Sequence, residues 1–572
     1  MPRAVATAWE TIGTVVGNTS TYEFTFVLKS YRSRVGDLVA VRMDVPGDAP
    51  GSRQERIAWG RITAISRFNP FFPQEAAHEL TEAAVPLLDT VLSTSRDYLQ
   101  AEVLILGVTS TSEDEMDRLF PLTYPIQPAA PVLHPPSSSV KRLLGGDQKR
   151  KTALQVGTLL SRSDVPVELA ADRVVARHMA ILAMTGGGKT VAARRILAEL
   201  IRLRYPIVIF DPHGDYIGLW EACQRGEAIM GDVDVKLFYP HMAMSTENQD
   251  IVRTLIAKMT TGLTEPQAEI LSDLLGNVQP KAGSSVLDYI AALLQRLEKN
   301  VKDAQDKRKI PSFFVVRRSL TTVQDRLEKM ELTNERMRTI LKDLKFEKLP
   351  DPEGRPEGIV RPGQVSILYL SGYDHLTQST IVSIVMEALF NHRATLSNRI
   401  APFLALVEEA HNFIPSAREG TSETPSLATL RKVITEGRKF GTGLLLVTQR
   451  PSRVDETILA QCNSFLVLRL VNPKDQSYVR QVMENLSETD ARLLPGFGPG
   501  QGLVSGQAVR FPLLVSIRMD KELVSSNLGD EDFLEQAERW KPDAKASTRK
   551  KAAAVASELG NGRRTRTRRG KP

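Results

Sequence analysis

The first 110 residues alternate short apolar, β-rich runs with polar turns that contain glycine, asparagine or aspartate. Several short strands at this spacing predict a small β-barrel at the N-terminus. The predicted strands are residues 12–16, 22–28, 38–43, 56–65 and 103–108. Three further predictions belong to this region: a helical insertion at residues 75–94, a proline- and serine-rich extended connector at residues 121–139, and a last barrel strand at residues 155–160.

Beyond residue 160 the pattern changes to that of an α/β sheet. Apolar runs typical of buried parallel strands occupy residues 206–211, 365–370, 403–407 and 443–447. Residues 247–348 instead carry apolar positions at helical spacing, so they predict a helical bundle inserted into the sheet. The remaining predictions are a helix at 379–396, strands at 465–471 and 508–518, a turn at 472–475 and a glycine-rich loop and hairpin at 494–506.

These changes in pattern divide the chain into five parts. They are a barrel and connector (residues 1–160), a first part of an α/β core (161–245), the inserted bundle (246–350), a second part of the core (351–540) and a basic tail (541–572). Because the tail has almost no large apolar residues, we expect it to be disordered.

Composition narrows the class of protein. The chain has 572 residues, of which 42% are hydrophobic and 25% charged, as in globular proteins of aqueous compartments. No apolar run approaches the ~20 residues that span a bilayer, the first residues form no secretory signal, and there are only two cysteines. We therefore expect a cytoplasmic protein without a membrane partner.

The net charge of +7 comes from the tail. Residues 541–572 hold 11 Lys or Arg and two acidic residues, so the first 540 residues sum to −2. A high isoelectric point is therefore no sign that the folded body binds nucleic acid. The tail itself could hold a phosphate backbone non-specifically or serve as an unstructured solubilising end.

A glycine-rich turn lies between an apolar strand at residues 179–182 and a helix-forming segment at 191–204. Such a loop wraps an anion with its backbone N–H groups, and the helix N-terminus adds a partial positive charge. Lys189 would reach the β- and γ-phosphates of a nucleotide and Thr190 would hold Mg²⁺, while Ala183 stands where the P-loop pattern has glycine. The predicted nucleotide-binding residues are Thr185, Gly186, Gly187, Gly188, Lys189 and Thr190. The alternative is a plain glycine turn.

Two adjacent carboxylates, Glu408 and Glu409, end the apolar run at residues 403–407. One could support Mg²⁺ and the other could polarise the water that attacks a γ-phosphate. Neighbouring side chains on a strand point to opposite sides, so we expect the two acids to take different roles. Asp211, His213 and Asp215 follow another predicted strand, where they form either a metal or nucleotide site or a hydrogen-bonded turn.

Three more side chains are candidates for phosphate chemistry. Gln449 ends the strand at residues 443–447 and could sense the γ-phosphate. Arg438 precedes that strand and is either part of a structural ion pair or, in a ring, an arginine finger for a neighbouring subunit. Arg177, just before the P-loop strand, is a weaker candidate for the same role.

With these segments the chain resembles the HerA family, within the FtsK–HerA group of P-loop ATPases. The resemblance covers residues 1–520 approximately and is carried by five segments in order, at 184–190, 211–215, 408–412, 436–441 and 448–451. It implies a RecA-like ATPase core with an N-terminal barrel of the HAS-barrel type. Glu408 departs from the aspartate that is usual in P-loop enzymes.

The resemblance also implies a function. In that family we expect a homohexameric ring that uses ATP and Mg²⁺ to move along double-stranded DNA. A nuclease of NurA type, or an effector subunit in anti-phage defence, would dock on the barrel. Carried over, Lys189 and Thr190 bind phosphate and Mg²⁺, Glu408 supports Mg²⁺, Glu409 is the base, Gln449 the sensor and Arg438 the trans finger. Two alternatives remain: a nucleotide-dependent scaffold that activates an effector, and a motor acting on protein or single strands.

Overall fold

The protein is described here by a computed structural model. The described residues are 9–29, 33–46, 53–68, 98–111, 118–145, 152–239, 249–279, 281, 284–303, 306–340, 344–395, 399–416, 424–483 and 486–524. The predicted helical insertion at residues 75–94 and the predicted disordered tail lie outside this part of the chain.

A closed β-barrel occupies the N-terminal part of the chain, as the strand pattern predicted. Its six strands among the described residues follow the order β1-β2-β5-β4-β3-β6. They are β1 (Glu10–Val16), β2 (Glu23–Leu28), β3 (Leu38–Pro46), β4 (Arg53–Phe68), β5 (Tyr98–Ser110) and β6 (Pro131–His134). Alternate side chains, among them Phe24, Phe26, Val39 and Val41, fill the interior.

The strand that closes the barrel was not the one predicted. β6 lies inside the stretch predicted as a connector, and it pairs with β1 and β3. A proline is compatible with the first position of a strand, which is where Pro131 lies. Residues 155–160 were wrongly assigned to the barrel, because Ala153–Leu159 pairs with strands of the large sheet instead.

The second sheet is the platform for the P-loop. In the described part of the chain it has 12 strands, in the order β12-β11-β13-β10-β14-β15-β9-β16-β17-β18-β7-β8. The strands are β7 (Ala153–Leu159), β8 (Pro166–Ala170), β9 (Met179–Leu182), β10 (Ile207–Asp211), β11 (Asp234–Tyr239), β12 (Glu347–Lys348), β13 (Gln364–Tyr369), β14 (Phe403–Val407), β15 (Thr442–Thr448), β16 (Ser464–Val467), β17 (Gln501–Gly506) and β18 (Leu513–Ile517). From β11 to β16 the neighbours are parallel, and the strands of the central part are buried on both faces.

Helices cover this sheet or form the insertion. They are α1 (Ser137–Leu143), α2 (Ala171–Ala176), α3 (Lys189–Arg202), α4 (Ile217–Gln224), α5 (Gln249–Met259), α6 (Glu265–Asn277), α7 (Val286–Lys302), α8 (Ile310–Ile340), α9 (His375–Ala394), α10 (Pro425–Phe440), α11 (Glu456–Ala460), α12 (Pro473–Val482) and α13 (Glu488–Leu493). Helices α5 to α8 lie between β11 and β12 in the chain, which confirms the inserted bundle. Both α6 and α7 begin with a capping box, at Thr264 and Ser285.

The predicted turn at residues 472–475 is instead the beginning of α12. Asn472 is the N-cap residue, and its side chain accepts a hydrogen bond from the backbone N–H of Lys474. Pro473 occupies the first turn, where a missing N–H costs nothing. The same residue types are favoured in turns and at helix starts, and this explains the error. None of the described helices has the length and apolar character needed to cross a membrane.

A buried ion pair joins the barrel to a helix that packs with the large sheet. Nη2 of Arg61, on β4, lies 2.7 Å from Oδ2 of Asp490, on α13, and both side chains are 2% exposed. Beyond α13, the carbonyl of Leu494 accepts the backbone N–H of Leu470, and the N–H of Gly500 is donated to the carbonyl of Gly187 in the P-loop. The segment that contacts the barrel at Asp490 therefore also contacts the glycine-rich loop, ten residues later at Gly500.

We predict that Asp490→Ala destabilises the protein by ~3–5 kcal/mol, because it leaves the Arg61 guanidinium buried without its carboxylate. Glu488→Ala, on the same helix, is the control. Glu488 pairs with Arg492 at 3.2 Å, but both side chains are largely exposed, so the loss should be at most ~1 kcal/mol. Thermal and denaturant unfolding of both variants measure the difference. Equal losses would contradict the structural importance of the buried pair.

Candidate functional site

The glycine-rich loop begins at Ala183, directly after β9, and ends where α3 starts. Gly186 and Gly188 have φ values of 75° and 95°, in the left-handed region that favours glycine. Gly188 is the N-cap of α3, so Lys189 and Thr190 are the first two residues of that helix. Ala183 is fully buried and is not among the residues with positive φ. An alanine is therefore accommodated where the P-loop pattern has glycine.

A second glycine-rich segment supports the loop from behind. The N–H of Gly500 donates to the carbonyl of Gly187 at 3.2 Å. A Cβ on Gly188 would lie 2.9 Å from the nitrogen of Gly500, a distance that side chains do not tolerate. The loop is thus held between the end of β9 and the beginning of β17.

The two glutamates meet the P-loop lysine at the carboxyl edge of the sheet. Nζ of Lys189 lies 3.1 Å from Oε1 of Glu409 and 4.0 Å from Oε1 of Glu408. β14 ends at Val407, so both acids follow the strand, and Glu409 has a left-handed backbone with φ of 49°. We expected the two glutamate side chains to point to opposite sides, as neighbouring side chains on a strand do. This expectation was wrong, because both residues lie beyond the end of the strand. The bend at Glu409 brings both carboxyl groups toward one ammonium.

The pKa values of Glu408 and Glu409 are shifted in opposite directions. Complete burial raises the pKa of Glu408 to about 8, although a hydrogen bond from Tyr216 and the Lys189 charge oppose this. Burial also acts to raise the pKa of Glu409, but His411 and Lys189 together lower it to about 2. One ammonium thus balances one ionised carboxylate, and that carboxylate belongs to Glu409.

Asp211 holds the turn that supports Glu408. Its carboxylate accepts the backbone N–H groups of His213, Gly214, Asp215 and Tyr216 at 2.7–3.2 Å. The hydroxyl of Tyr216, which is fully buried, then donates to Oε2 of Glu408. For Asp211 the hydrogen-bonded turn is the better of the two interpretations left open by the sequence, because its oxygens are used by the backbone.

Gln449 reaches the same edge from β15, which lies between β9 and β14 in the sheet. Its side-chain oxygen accepts the hydroxyl of Thr185 in the P-loop. Thr448, the last residue of β15, lies beside Nδ1 of His411, which lies 3.2 Å from Oε2 of Glu409. The P-loop therefore contacts both glutamates through Lys189 and contacts Gln449 through Thr185.

The two candidate arginines lie at the opposite edge. Arg177 precedes β9 and Arg438 precedes β15, whereas the P-loop and Gln449 follow these parallel strands. The seven residues of β15 span ~20 Å. Arg177 is held by Gln507, and partial desolvation and the charges of Arg438 and Arg173 lower its pKa. The structure does not bring either arginine to its own P-loop.

Comparison with known proteins shows which proteins this chain is similar to. The family described as "Helicase HerA, central domain" matches residues 154–389. A probable helicase of Methanocaldococcus jannaschii is 27% identical over 546 residues, which cover 93% of this chain and 94% of that protein. The DNA double-strand break repair helicase HerA of Pyrococcus furiosus is 28% identical over 466 residues, covering 74% of this chain and 79% of the relative.

Residues 154–389 thus match the central domain of HerA helicases, and the chain is similar to HerA-type helicases over most of its length. Among solved structures, the plasmid coupling protein TrwB in complex with ADP and Mg²⁺ superposes with a TM-score of 0.44 at 16% identity, over 67% of this chain and 94% of that chain.

The site has oxygen atoms that suit Mg²⁺. Oε1 of Glu408 is buried and has no hydrogen-bond partner in the described part of the chain. The Thr190 hydroxyl, on the first turn of α3, is the second candidate oxygen. No group of three or more His, Cys, Asp or Glu residues that could hold a metal occurs among the described residues. One carboxylate and one hydroxyl suit a Mg²⁺ that takes its other ligands from phosphate and water.

The sequence pattern indicated no role for three residues that complete this site. Tyr216 ends the segment at 211–216, His411 lies two residues after Glu409, and Gly500 belongs to a glycine-rich loop. The recurrence of glycine at 496, 498, 500 and 502 was the available signal for close backbone approach. Nothing in the sequence indicated which side chains Tyr216 and His411 would contact.

We predict that Gly188→Ala destabilises the nucleotide-free protein more than Gly186→Ala does. Both alanines would have a left-handed backbone, at a cost of ~1–2 kcal/mol each. Only Gly188→Ala also forces its Cβ against the backbone of Gly500, whereas nothing lies within 4 Å of a Cβ on Gly186, and such crowding adds ~1–3 kcal/mol. Thermal unfolding of the two variants tests this, and a Gly186→Ala loss as large as that of Gly188→Ala would contradict the support by Gly500.

Proposed function

We propose that this chain is an ATP-hydrolysing motor that assembles into a homohexameric ring and translocates on double-stranded DNA. The observation that carries the proposal is the 3.1 Å contact between Lys189 of the P-loop and Glu409 after β14. An anion-binding loop and a water-polarising acid are thereby adjacent, as hydrolysis of a bound triphosphate requires.

In this proposal the nucleotide phosphates bind the loop from Thr185 to Thr190. The loop N–H groups and the N-terminus of α3 attract the β-phosphate, and Lys189 contacts the β- and γ-phosphates. Thr190 and Glu408 would hold Mg²⁺, which neutralises charge on the phosphate oxygens. Tyr216 fixes Oε2 of Glu408 and leaves Oε1 facing Lys189.

Glu409 is the proposed general base. While Lys189 lies beside it, its pKa of about 2 makes it a weak proton acceptor. A γ-phosphate competes for the same ammonium, and loss of that neighbouring charge raises the pKa of Glu409. Binding of the triphosphate would thus increase the basicity of the carboxylate that activates water. Gln449, already in contact with Thr185, is suited to respond to the γ-phosphate.

The position of the arginines supports hydrolysis between subunits. Arg438 and Arg177 lie at the amino edge of the sheet, away from their own P-loop. A head-to-tail ring would present this edge to the P-loop edge of the neighbour. Arg438 would then act as a trans finger that stabilises charge on the transferring phosphoryl group, with Arg177 as a second candidate for the same role.

The proposal of a DNA substrate is based on the names of the relatives and not on a surface of the structure. The Pyrococcus furiosus protein is named as a DNA double-strand break repair helicase, and several further matches carry the same description. We infer that duplex DNA passes through the ring. A NurA-type nuclease or a defence effector would bind the barrel, and a cytoplasmic location fits this role.

One observation favours a second candidate, a nucleotide-dependent scaffold with little translocation. One segment of the chain contacts both the barrel, where Asp490 pairs with Arg61, and the P-loop, where Gly500 donates to Gly187. A partner on the barrel could then be activated by nucleotide binding alone. Displacement of a third strand from duplex DNA separates the two candidates. A motor displaces it with ATP and fails with Glu409→Gln, whereas a scaffold shows no displacement in either case.

We predict that Glu409→Gln binds ATP normally but loses hydrolysis by at least ~100-fold, because the amide cannot accept the proton from water. Lys189→Ala should instead weaken nucleotide binding, since it removes the phosphate ligand. Binding of a fluorescent ATP analogue and DNA-stimulated release of phosphate distinguish the two defects. Hydrolysis by Glu409→Gln at the parent rate would refute the base assignment.

We also predict that two inactive variants complement each other. When Arg438→Ala and Lys189→Ala chains are mixed before assembly, about a quarter of the interfaces combine an intact P-loop with an intact finger. ATPase activity should therefore reappear. Glu409→Gln mixed with Lys189→Ala is the matched control. In this control, the lysine and the base of each site come from the same chain, and every chain lacks one of them. No complete site forms, so no activity returns. Absence of recovery in the first mixture would exclude Arg438 as a trans finger.

A further inference from the structure

His411 lies among the proposed catalytic groups at the carboxyl edge of the large sheet. The proposed hydrolysis gives it no role. It belongs to a short 3-10 helix, Ala410–Asn412, that follows Glu409 directly. Its Nδ1 atom lies 3.2 Å from Oε2 of Glu409 and 3.1 Å from Oγ1 of Thr448. The side chain is 10% exposed. A single ring nitrogen therefore lies between the proposed base and the end of β15.

Thr448 is a fixed support for this ring. It is the last residue of β15 and fully buried. Its hydroxyl oxygen accepts the backbone N–H of Arg450 at 3.1 Å, which fixes the rotamer that faces His411. The next residue, Gln449, contacts Thr185 of the P-loop. His411 thus connects the base to the strand that carries the proposed phosphate sensor.

The two oxygens of Glu409 face different partners. Oε1 lies beside Lys189 and Oε2 beside His411. A γ-phosphate that attracts Lys189 removes the first contact and leaves the second. Oε2 has no aligned hydrogen bond in the described part of the chain. His411, 3.2 Å away, is then the polar neighbour able to hold it, with Oε1 directed toward the space from which Lys189 has moved.

We propose that His411 is a positioning residue that holds the Glu409 carboxylate in the direction needed to accept a proton from water, with Thr448 as its support. The proposal rests on Glu409 being the base. His411 itself does not touch the substrate. Misplacement of a reacting group by ~1 Å costs up to ~100-fold in rate, so the loss of such a support is measurable without a change in fold.

A matched pair of variants tests the proposal. His411→Asn keeps an amide group where Nδ1 lies, whereas His411→Gln moves its amide one carbon further, toward the position of Nε2. Both are polar and of similar size, so a purely structural role predicts similar behaviour. We expect His411→Asn to keep kcat within ~3-fold of the parent and His411→Gln to lose ~10–100-fold, with the KM for ATP changed little in both.

Thr448 provides a second pair for the same measurement. Thr448→Ser keeps the hydroxyl that supports the ring, and Thr448→Val replaces it by a methyl group of the same shape. Thr448→Val should lower kcat, and Thr448→Ser should not. This pair decides the question if either His411 variant fails to assemble, with thermal unfolding and nucleotide binding as checks of the fold.

The outcomes are distinct. Equal kcat values for His411→Asn and His411→Gln, or a Thr448→Val variant as active as Thr448→Ser, would overturn the positioning role. A change confined to the KM for ATP would do the same. Absence of ATPase activity in the parent protein, or a fully active Glu409→Gln variant, would instead show that the proposed function has failed.

Discussion

The structure depends on one contact between an ammonium and a carboxylate, that of Lys189 with Glu409, which joins segments 220 residues apart in the chain. The strand order explains how they meet. β15 lies between the P-loop strand β9 and strand β14, which precedes the two glutamates. Three consecutive strand ends therefore bring the P-loop, Gln449 and the glutamates to one edge. Carboxyl ends of parallel strands form the ligand crevice of such sheets. The insertion of α5 to α8 leaves this order intact, because it enters at the distant strands β11 and β12.

The same contact explains how two adjacent acids can be buried. Glu408 is completely buried and Glu409 nearly so, and two unpaired carboxylates in such a place would repel each other and lose hydration. One lysine can neutralise one of them. Burial raises the pKa of Glu408, whereas His411 and Lys189 together lower the pKa of Glu409 against the effect of its burial. A cation bound between Glu408 and phosphate would reverse the first shift, since a metal favours the ionised carboxylate. Nucleotide and metal binding are thus linked to the protonation of both acids.

The elements that were predicted correctly are those with a strong local sequence pattern. The P-loop, the strand before Glu408 and the inserted bundle could be read from apolar periodicity and glycine placement. β6 and the start of α12 could not, because Pro131 and Pro473 act as breakers in sequence but occupy tolerated first positions in the structure. The prediction for β7 was wrong for another reason, because tertiary pairing decides which sheet a strand joins. The contacts of Tyr216 and His411 depend on the bend at Glu409, which the sequence does not reveal.

That bend is itself an argument about function. Glu409 has a φ of 49°, a conformation that costs a non-glycine residue ~1–2 kcal/mol. Glycine or asparagine would adopt it more readily, so a site under selection for stability alone would not place glutamate there. The strain is held by the buried strands on both sides, where β10 and β15 pair with β14. It turns the chain away from the strand direction and directs the carboxylate to Lys189. The backbone energy thus stored at Glu409 is best explained by the need for its side chain at that position.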